Sequence, residues 1–402
     1  MMMIKNARII LEEGVRKGSV LVENGKTKDI FLQENQESQV ICDMSLRLNK
    51  DHIYDAEGNY LAPGFVDLHT HGAGGYDFMD GDVESIVGAA KTHLLHGTTT
   101  LLPTSLSSGD DELFTFIDNY KKATKNEANM PHMPGIHLEG PYFAMSEKGA
   151  QDCKYIRNPE RSHYEKIMER AEGCIKRWSV APELEGALEM IGTLSKQGVI
   201  MSGGHTAAFY EEIARAYDCG MSMLTHFYSA MQSVRRVNSM RTLGAIEAGY
   251  LLDDLYVELI CDGMHLPPDL LSFIFKCKNQ DHITACTDSM RAAGMPDGPS
   301  ILGSLAHGQP VIVEDGVAKM PENQCFGGSV ATGDRLFRTL KSIGLPLETV
   351  AKITSLHGAR LLGMEDKIGS IKQGKIADMV IFDENVSIKN VFINGIPMEK
   401  VS

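Results

Sequence analysis

Pro63-Gly64-Phe65-Val66-Asp67-Leu68-His69-Thr70-His71-Gly72 is an apolar run that closes on two histidines one residue apart. Alternate side chains of an extended strand point the same way, so His69 and His71 face one place. Strands buried on both faces read as near-continuous apolar runs and belong to parallel sheets covered by helices. Outward from this stretch, similar β-branched-rich runs recur, and the full set occupies 61–69, 98–104, 134–139, 178–182, 199–205, 221–227, 255–261 and 282–288. Helix-like stretches lie between them, at 83–96, 182–197, 210–219 and 268–276 among others. Eight strands, each followed by a helix, predict an α/β fold of the (β/α)8 TIM-barrel type.

The two chain ends read differently. Ala7-Arg8-Ile9-Ile10-Leu11 and Gly18-Ser19-Val20-Leu21-Val22 are short strands, as are Ala377-Asp378-Met379-Val380-Ile381-Phe382 and Asn390-Val391-Phe392-Ile393, with Asn394-Gly395 as a turn signal. Neither end is long enough to bury a core alone. Residues 1–60 with 361–402 are therefore expected to form one small β-sandwich, with the barrel, 61–360, inserted between them.

Composition narrows the function. Lysine and arginine number 39 against 53 aspartates and glutamates, a net charge of −14 over 402 residues. That balance argues against a nucleic-acid-binding or anionic-membrane surface. Apolar residues at 43% and charged residues at 23% suit a globular chain. No stretch approaches the roughly 20 apolar residues of a membrane helix, and the first residues are charged too soon for a signal peptide. The cysteines, at 42, 153, 174, 219, 261, 277, 286 and 325, form no C-x-x-C pair, which is the usage of a reduced compartment. A cytoplasmic protein is expected. The 22 methionines are read as core filler.

Polar residues close the predicted strands: His69-Thr70-His71, His137-Leu138-Glu139, Gly203-Gly204-His205, Thr225-His226 and Thr287-Asp288. Barrel active sites are built at these C-terminal strand ends. Imidazoles and a carboxylate converging on one mouth suit a divalent transition metal, zinc first, with iron or manganese also compatible. Asp288 is the candidate proton shuttle, with a helix cap or a plain structural ligand as its other reading. His265, just past the seventh strand, is read as a substrate contact or an outer support of the site. Gly327-Gly328-Ser329 lacks the lysine of a phosphate-binding loop, yet its amides suit a polar substrate group.

These motifs, with Gly204-His205-Thr206, Asp262-Gly263-Met264-His265, Thr287–Gly294 and the tail 369–378, resemble the amidohydrolase superfamily, and within it the deacetylases of N-acetylated amino-sugar phosphates. The resemblance implies that Glu139, His205 and His226 bind the principal metal, and that His69 and His71 hold a second ion with Glu139 bridging. It implies one or two ions per subunit, Asp288 as general base and acid, and His265 as a substrate-binding histidine. Ser229 and Ala230 stand where relatives carry Asn-Ala, whose backbone contacts the sugar phosphate, and Gln151 occupies another contact position. One departure is visible. Relatives carry Arg-Glu-Pro-Gly after the strand-six histidine, its arginine gripping phosphate, often across a dimer interface. This chain has Val234-Arg235-Arg236-Val237-Asn238-Ser239-Met240-Arg241. Arg236, with Arg235 and Arg241 as alternatives, is taken to supply that charge.

The implied activity is metal-dependent hydrolysis of the acetamide of N-acetylglucosamine 6-phosphate by a homodimer. Another N-acetylhexosamine is the alternative substrate. A cyclic amidase of the same superfamily would need a lysine closing the fourth strand, where this chain has Trp178-Ser179-Val180-Ala181-Pro182-Glu183. A non-catalytic sugar-binding barrel is the remaining reading.

Overall fold

The structure, a computed structural model, describes residues 1–33, 52–125, 129–321 and 325–398. Eight parallel strands form one sheet in strict chain order: β1 Phe65–Thr70, β2 Thr98–Ser105, β3 Ile136–Glu139, β4 Ile175–Val180, β5 Ile200–Gly203, β6 Met221–Leu224, β7 Tyr256–Ile260 and β8 Ile283–Cys286. The first and last strands meet just past their ends. Asp288 N donates to His69 O at 2.9 Å, and His71 N donates to Ser289 O at 2.8 Å. The sheet is thus drawn closed at the mouth, where the chemistry-bearing residues lie.

A helix follows each strand, from Val83–Leu95 after β1 to Gly333–Ser342 after β8. The first shows why such segments are helical. Asp82 caps it by accepting from Ser85 N at 2.7 Å. Ile86, Ala89, Ala90, His93 and Leu94 then form its buried stripe. These stripes pack on the outward faces of the strands in one continuous core that includes Leu101, Leu138, Trp178, Met201, Leu224, Val257 and Ile283. Each such side chain, fully buried, contributes about 1.5–3 kcal/mol. The predicted helices at 83–96, 210–219 and 268–276 are found at Val83–Leu95, Tyr210–Asp218 and Pro268–Cys277.

The chain ends meet in a separate eight-stranded sheet. Its ordered path runs from Ile396–Pro397, Ile388–Ile393 and Met379–Phe382 through Tyr60–Pro63 to Met2–Leu11, Gly14–Glu23 and Lys26–Leu32, with Ile53–Asp55 also pairing Met2–Leu11. Consecutive residues such as Met3 and Ile4 enter different apolar clusters, so both faces of this sheet are covered.

Three features depart from the sequence expectation. The run 61–69 is two strands, because the chain breaks at Gly64. Tyr60–Pro63 belongs to the terminal sheet and Phe65–Thr70 to the barrel. A Cβ at Gly64 would lie 2.1 Å from Thr99 Oγ1, so only glycine passes between the two sheets. A four-stranded antiparallel sheet, Gly298–Leu302, Gln309–Glu314, Val317–Lys319 and Phe326–Ser329, is inserted after β8. Its Asp315-Gly316 turn, both residues at positive φ, is the hairpin signal that the barrel pattern obscured. A small hairpin, Arg235–Val237 with Met240–Thr242, follows β6. The cysteines at 153, 174, 219, 261, 277, 286 and 325 are free, and Cys42 lies outside the described residues. Among the described residues no helix is long and apolar enough to cross a membrane.

Candidate functional site

The strand ends bring distant residues to one point. His69 and His71 sit two positions apart at the end of β1, and their Nε2 atoms lie 3.3 Å from each other. Glu139 ends β3. Its Oε1 is 3.5 Å from His69 Nε2, 3.3 Å from His205 Nε2 and 3.0 Å from His226 Nε2. Its Oε2 is 3.4 Å from His71 Nε2. Asp288 Oδ1 is 3.2 Å from His71 Nε2 and 3.4 Å from His69 Nε2. All six residues are buried.

Backbone conformation helps place them. His205 (φ 47°), His226 (φ 32°) and Asp288 (φ 44°) all adopt the left-handed region just past their strands. Such positions cost about 1–3 kcal/mol and persist only where surrounding bonds hold them. Asp288 is held at both peptide groups, its N donating to His69 O and its O accepting from Ser329 N at 2.8 Å. Next to His226, Phe227 N donates to Glu258 O at 2.7 Å.

The donor set fits a divalent metal. With zinc–nitrogen bonds of about 2.0–2.1 Å, ligand atoms of a tetrahedral site stand about 3.3 Å apart, and the contacts around Glu139 fall close to that spacing. Two overlapping triads meet this condition, His69–His71–Glu139 and Glu139–His205–His226. Electrostatics point the same way. Burial alone would lower both β1 histidines, yet the Asp288 and Glu139 carboxylates override it, raising His69 to about 10 and His71 to about 9. Burial would raise Glu139, but the His69, His205 and His226 rings hold it well below the usual carboxylate range. Burial lowers His226. A place where imidazoles must protonate to balance two buried carboxylates is a place that calls for a cation.

Outer partners fix some of these rings. His205 Nδ1 lies 2.8 Å from Glu147 O, and His69 Nδ1 lies 3.1 Å from Glu258 Oε2. Gln151 Nε2 donates to Glu139 Oε2 at 2.8 Å, while its Oε1 accepts from Ser107 N.

A cavity of about 210 Å³ opens beside the cluster, lined in part by Gln151, Ser229, Ala230, His265 and Phe326. His265 Nδ1 lies 2.8 Å from Asp262 Oδ2, and Asp262 Oδ1 accepts from Met264 N and His265 N. The ring is thereby fixed and packs edge-on to Phe326 at 4.9 Å. Gly328 also borders the cavity, so the glycine-rich loop reaches the site as the terminus of the inserted sheet. The three arginines lie elsewhere, on the hairpin after β6. Arg235 stacks over Phe209 and donates to Ala207 O. Arg236 and Arg241 face each other across the hairpin and are exposed. None of the three lines the cavity.

Four site-supporting residues escaped the sequence reading: Asp67, Arg177, Glu258 and Asp262. Each is buried. Glu258 stands mid-strand in the apolar run 255–261, and an isolated charge in such a run is itself a signal, because burying it unpaired is expensive. Arg177 fell just outside the run at 178–182. Asp67 accepts from Thr287 Oγ1 at 2.5 Å, and burial raises it to about 6.

The chain is similar to known proteins along most of its length. The family model described as Amidohydrolase family matches residues 60–397. An N-acetylgalactosamine-6-phosphate deacetylase of Escherichia coli O157:H7 is 28% identical over 85% of this chain and 89% of its own length. An N-acetylglucosamine-6-phosphate deacetylase of Lysinibacillus sphaericus is 29% identical over 95% of this chain and 96% of its own. Among solved structures, an N-acetylglucosamine-6-phosphate deacetylase from Pasteurella multocida superposes with a TM-score of 0.87 at 26% identity, over 99% of this chain and 100% of that one.

Proposed function

We propose, on the premise that this chain belongs to the amidohydrolase family, that it hydrolyses the acetamide of N-acetyl-D-glucosamine 6-phosphate to glucosamine 6-phosphate and acetate. The observation that carries the reading is the convergence of four imidazoles and Glu139 with Asp288 standing 3.2 Å from His71 Nε2 at the rim of the cavity. In this reading Glu139, His205 and His226 hold the principal ion, and His69 and His71 hold a second with Glu139 shared. Zinc is the ion proposed, and iron or manganese suits the same ligands.

When bound, a divalent ion supplies Lewis acidity, polarising an amide carbonyl and lowering the pKa of water towards about 7. The residues of the chain do the rest. Asp288 takes a proton from the attacking water as the new carbon–oxygen bond forms. It returns that proton to the amine nitrogen as the carbon–nitrogen bond breaks. In the metal-free chain the protonated His69 and His71 rings hold Asp288 below the usual carboxylate range against the raising effect of burial, and a cation held by those rings would supply the same positive charge and keep it ionised. His265, clamped by Asp262, orients the acetamide or steadies its developing oxyanion. Gln151 keeps Glu139 in place and borders the sugar. The backbone at Ser229 and Ala230 contacts the sugar phosphate. Arg236, with Arg235 and Arg241 beside it on the hairpin, supplies positive charge for the phosphate in a homodimer of cytoplasmic location.

Acetate release tests the whole reading. The substrates are N-acetylglucosamine and N-acetylgalactosamine, each with and without the 6-phosphate, presented to metal-loaded protein. The fastest turnover is expected on N-acetylglucosamine 6-phosphate. A preference for the galacto epimer transfers the activity to the substrate that the Escherichia coli relative is named for. Equal rates with and without phosphate remove the role given to the arginines, and no release from any of the four compounds ends the proposal.

A further inference from the structure

Beneath the metal ligands lies an ion pair that the deacetylation chemistry does not use. Glu258, in the middle of β7, and Arg177, in β4, are both fully buried. Arg177 grips both carboxylate oxygens, Nη2 donating to Oε2 at 2.8 Å and Nη1 donating to Oε1. The same guanidinium donates to Leu68 O at 3.2 Å, Thr225 Oγ1 at 3.1 Å and Ser202 Oγ at 3.3 Å. It thereby ties β1, β5, β6 and β7 together from within. Glu258 Oε2, in turn, lies 3.1 Å from His69 Nδ1 and accepts from His226 N at 3.2 Å.

We propose that Arg177 and Glu258 form a positioning pair for His69, with Glu258 accepting the Nδ1 proton so that the Nε2 lone pair is committed to the metal cavity. The inference rests on the metal reading above and adds to it the residues that set one ligand's tautomer and aim. Three observations support it.

A buried ion pair is on average no more stabilising than apolar side chains of the same volume, so fold stability alone does not account for this one. An imidazole that donates from one nitrogen presents a lone pair at the other, and metal-binding histidines commonly use a carboxylate for that purpose. Finally, the four rings are not supported alike. His205 has a backbone carbonyl, while His71 Nδ1 and His226 Nδ1 have no hydrogen-bond partner among the described residues. Of the four, His69 is the ring with a carboxylate behind it.

A competing reading makes His69, Glu258 and Cys286 a cation site of their own, since their donor atoms lie within 4.8 Å of one another. Arg177 already occupies both oxygens of Glu258, and a second cation there would face its charge.

The test replaces both charges at once, so that neither is stranded in the barrel. Arg177→Met/Glu258→Gln keeps an oxygen that can accept from His69 Nδ1, and Arg177→Met/Glu258→Met removes it. Zinc affinity and ions retained per chain are measured by chelator competition, with apo-protein circular dichroism as the folding control. The double-methionine protein is expected to bind at least one ion about 10–100-fold more weakly, and the glutamine form to recover most of that loss. Equal affinity and ion count in the two folded variants overturn the positioning role. A wild-type protein that binds no ion instead overturns the metal reading itself. If the double-methionine protein does not fold, neutron diffraction from zinc-loaded wild-type crystals decides. A proton on His69 Nδ1 is the expected result, and a bare Nδ1 refutes the proposal.

Discussion

At the turn of the terminal sheet the backbone enters the left-handed region through Asn394 (φ 50°) and Gly395 (φ 71°), residues that accept it at little cost. At the barrel mouth it does so through His205, His226, Tyr228, Ala230 and Asp288. The two regions also differ in what they bury. The terminal sheet hides Ile4, Ile9, Val20, Leu61, Ile381 and Phe392. The mouth hides Glu139, Asp288 and four histidines. Local preference, packing and charge agree at the Asn394-Gly395 turn and conflict at the mouth. Such conflict survives only where something other than stability retains it.

The strongest way to break this comparison is Asp288→Asn. It keeps the shape of the side chain and the backbone bonds but removes the proton acceptor. Turnover should fall about 10²–10⁴-fold, with ion content unchanged and stability equal or higher. Undiminished acetate release would show that the mouth's buried carboxylate is structural, like any residue of the sheet.

Phe392→Ala is the counterpart. Phe392 is fully buried and packs edge-on against Tyr54 at 5.2 Å. Its truncation should cost about 3–5 kcal/mol in denaturant unfolding and leave kcat/KM of the folded enzyme unaltered. A large change in kcat/KM would mean that the terminal sheet and the mouth are not independent.

Both halves of the contrast were partly legible beforehand, for different reasons. The barrel strands read well because burial on both faces writes a continuous apolar run. The residues at 69, 71, 139, 205 and 226, which the structure brings to one point, stood out because a polar residue closing such a run is conspicuous. The split at Gly64 did not show, because an apolar run has no mark where one sheet hands over to another. Glu258 and Arg177 were missed because their justification is each other, across 81 residues of chain. The inserted sheet, despite its Asp315-Gly316 turn, was hidden by the expectation that a helix follows β8 directly. Where the phosphate-binding charge belongs was not legible either. Arg236 and Arg241 of the hairpin are exposed, and an exposed charge can serve a site only through a geometry that sequence does not record.

Metal loading sharpens the comparison through pH. In the metal-free protein the folded-state values of His69 and His71, about 10 and about 9, lie above the ordinary 6.5. Their protonation therefore stabilises the fold fully below about pH 6.5, and that contribution is lost as pH rises through the folded values. An ion that takes the Nε2 lone pairs replaces those protons, and at 100 times its dissociation constant it contributes about 2.7 kcal/mol. The gap in thermal midpoint between loaded and chelator-treated protein should widen from pH 7 to pH 9. A gap that stays constant or narrows would mean that the ion and the protons do not compete for these rings.

The smallest effect concerns strain itself. Ala230 (φ 47°) is left-handed without the amide side chain that eases Asn394 into the same region. A left-handed alanine costs roughly 1–2 kcal/mol. Glycine removes that cost but adds about 0.5–1 kcal/mol of unfolded-state freedom. The bond from Thr206 N to Ala230 O, 3.0 Å long, survives the change. Ala230→Gly should therefore stabilise the protein by about 0.5 kcal/mol, taking the difference between those two magnitudes, whereas Asn394→Gly should gain nothing. Denaturant midpoints of the two variants decide between them. If Ala230→Gly destabilises as a glycine does in ordinary backbone, the mouth stores no strain at that residue, and its conflict with local preference is confined to the buried charges.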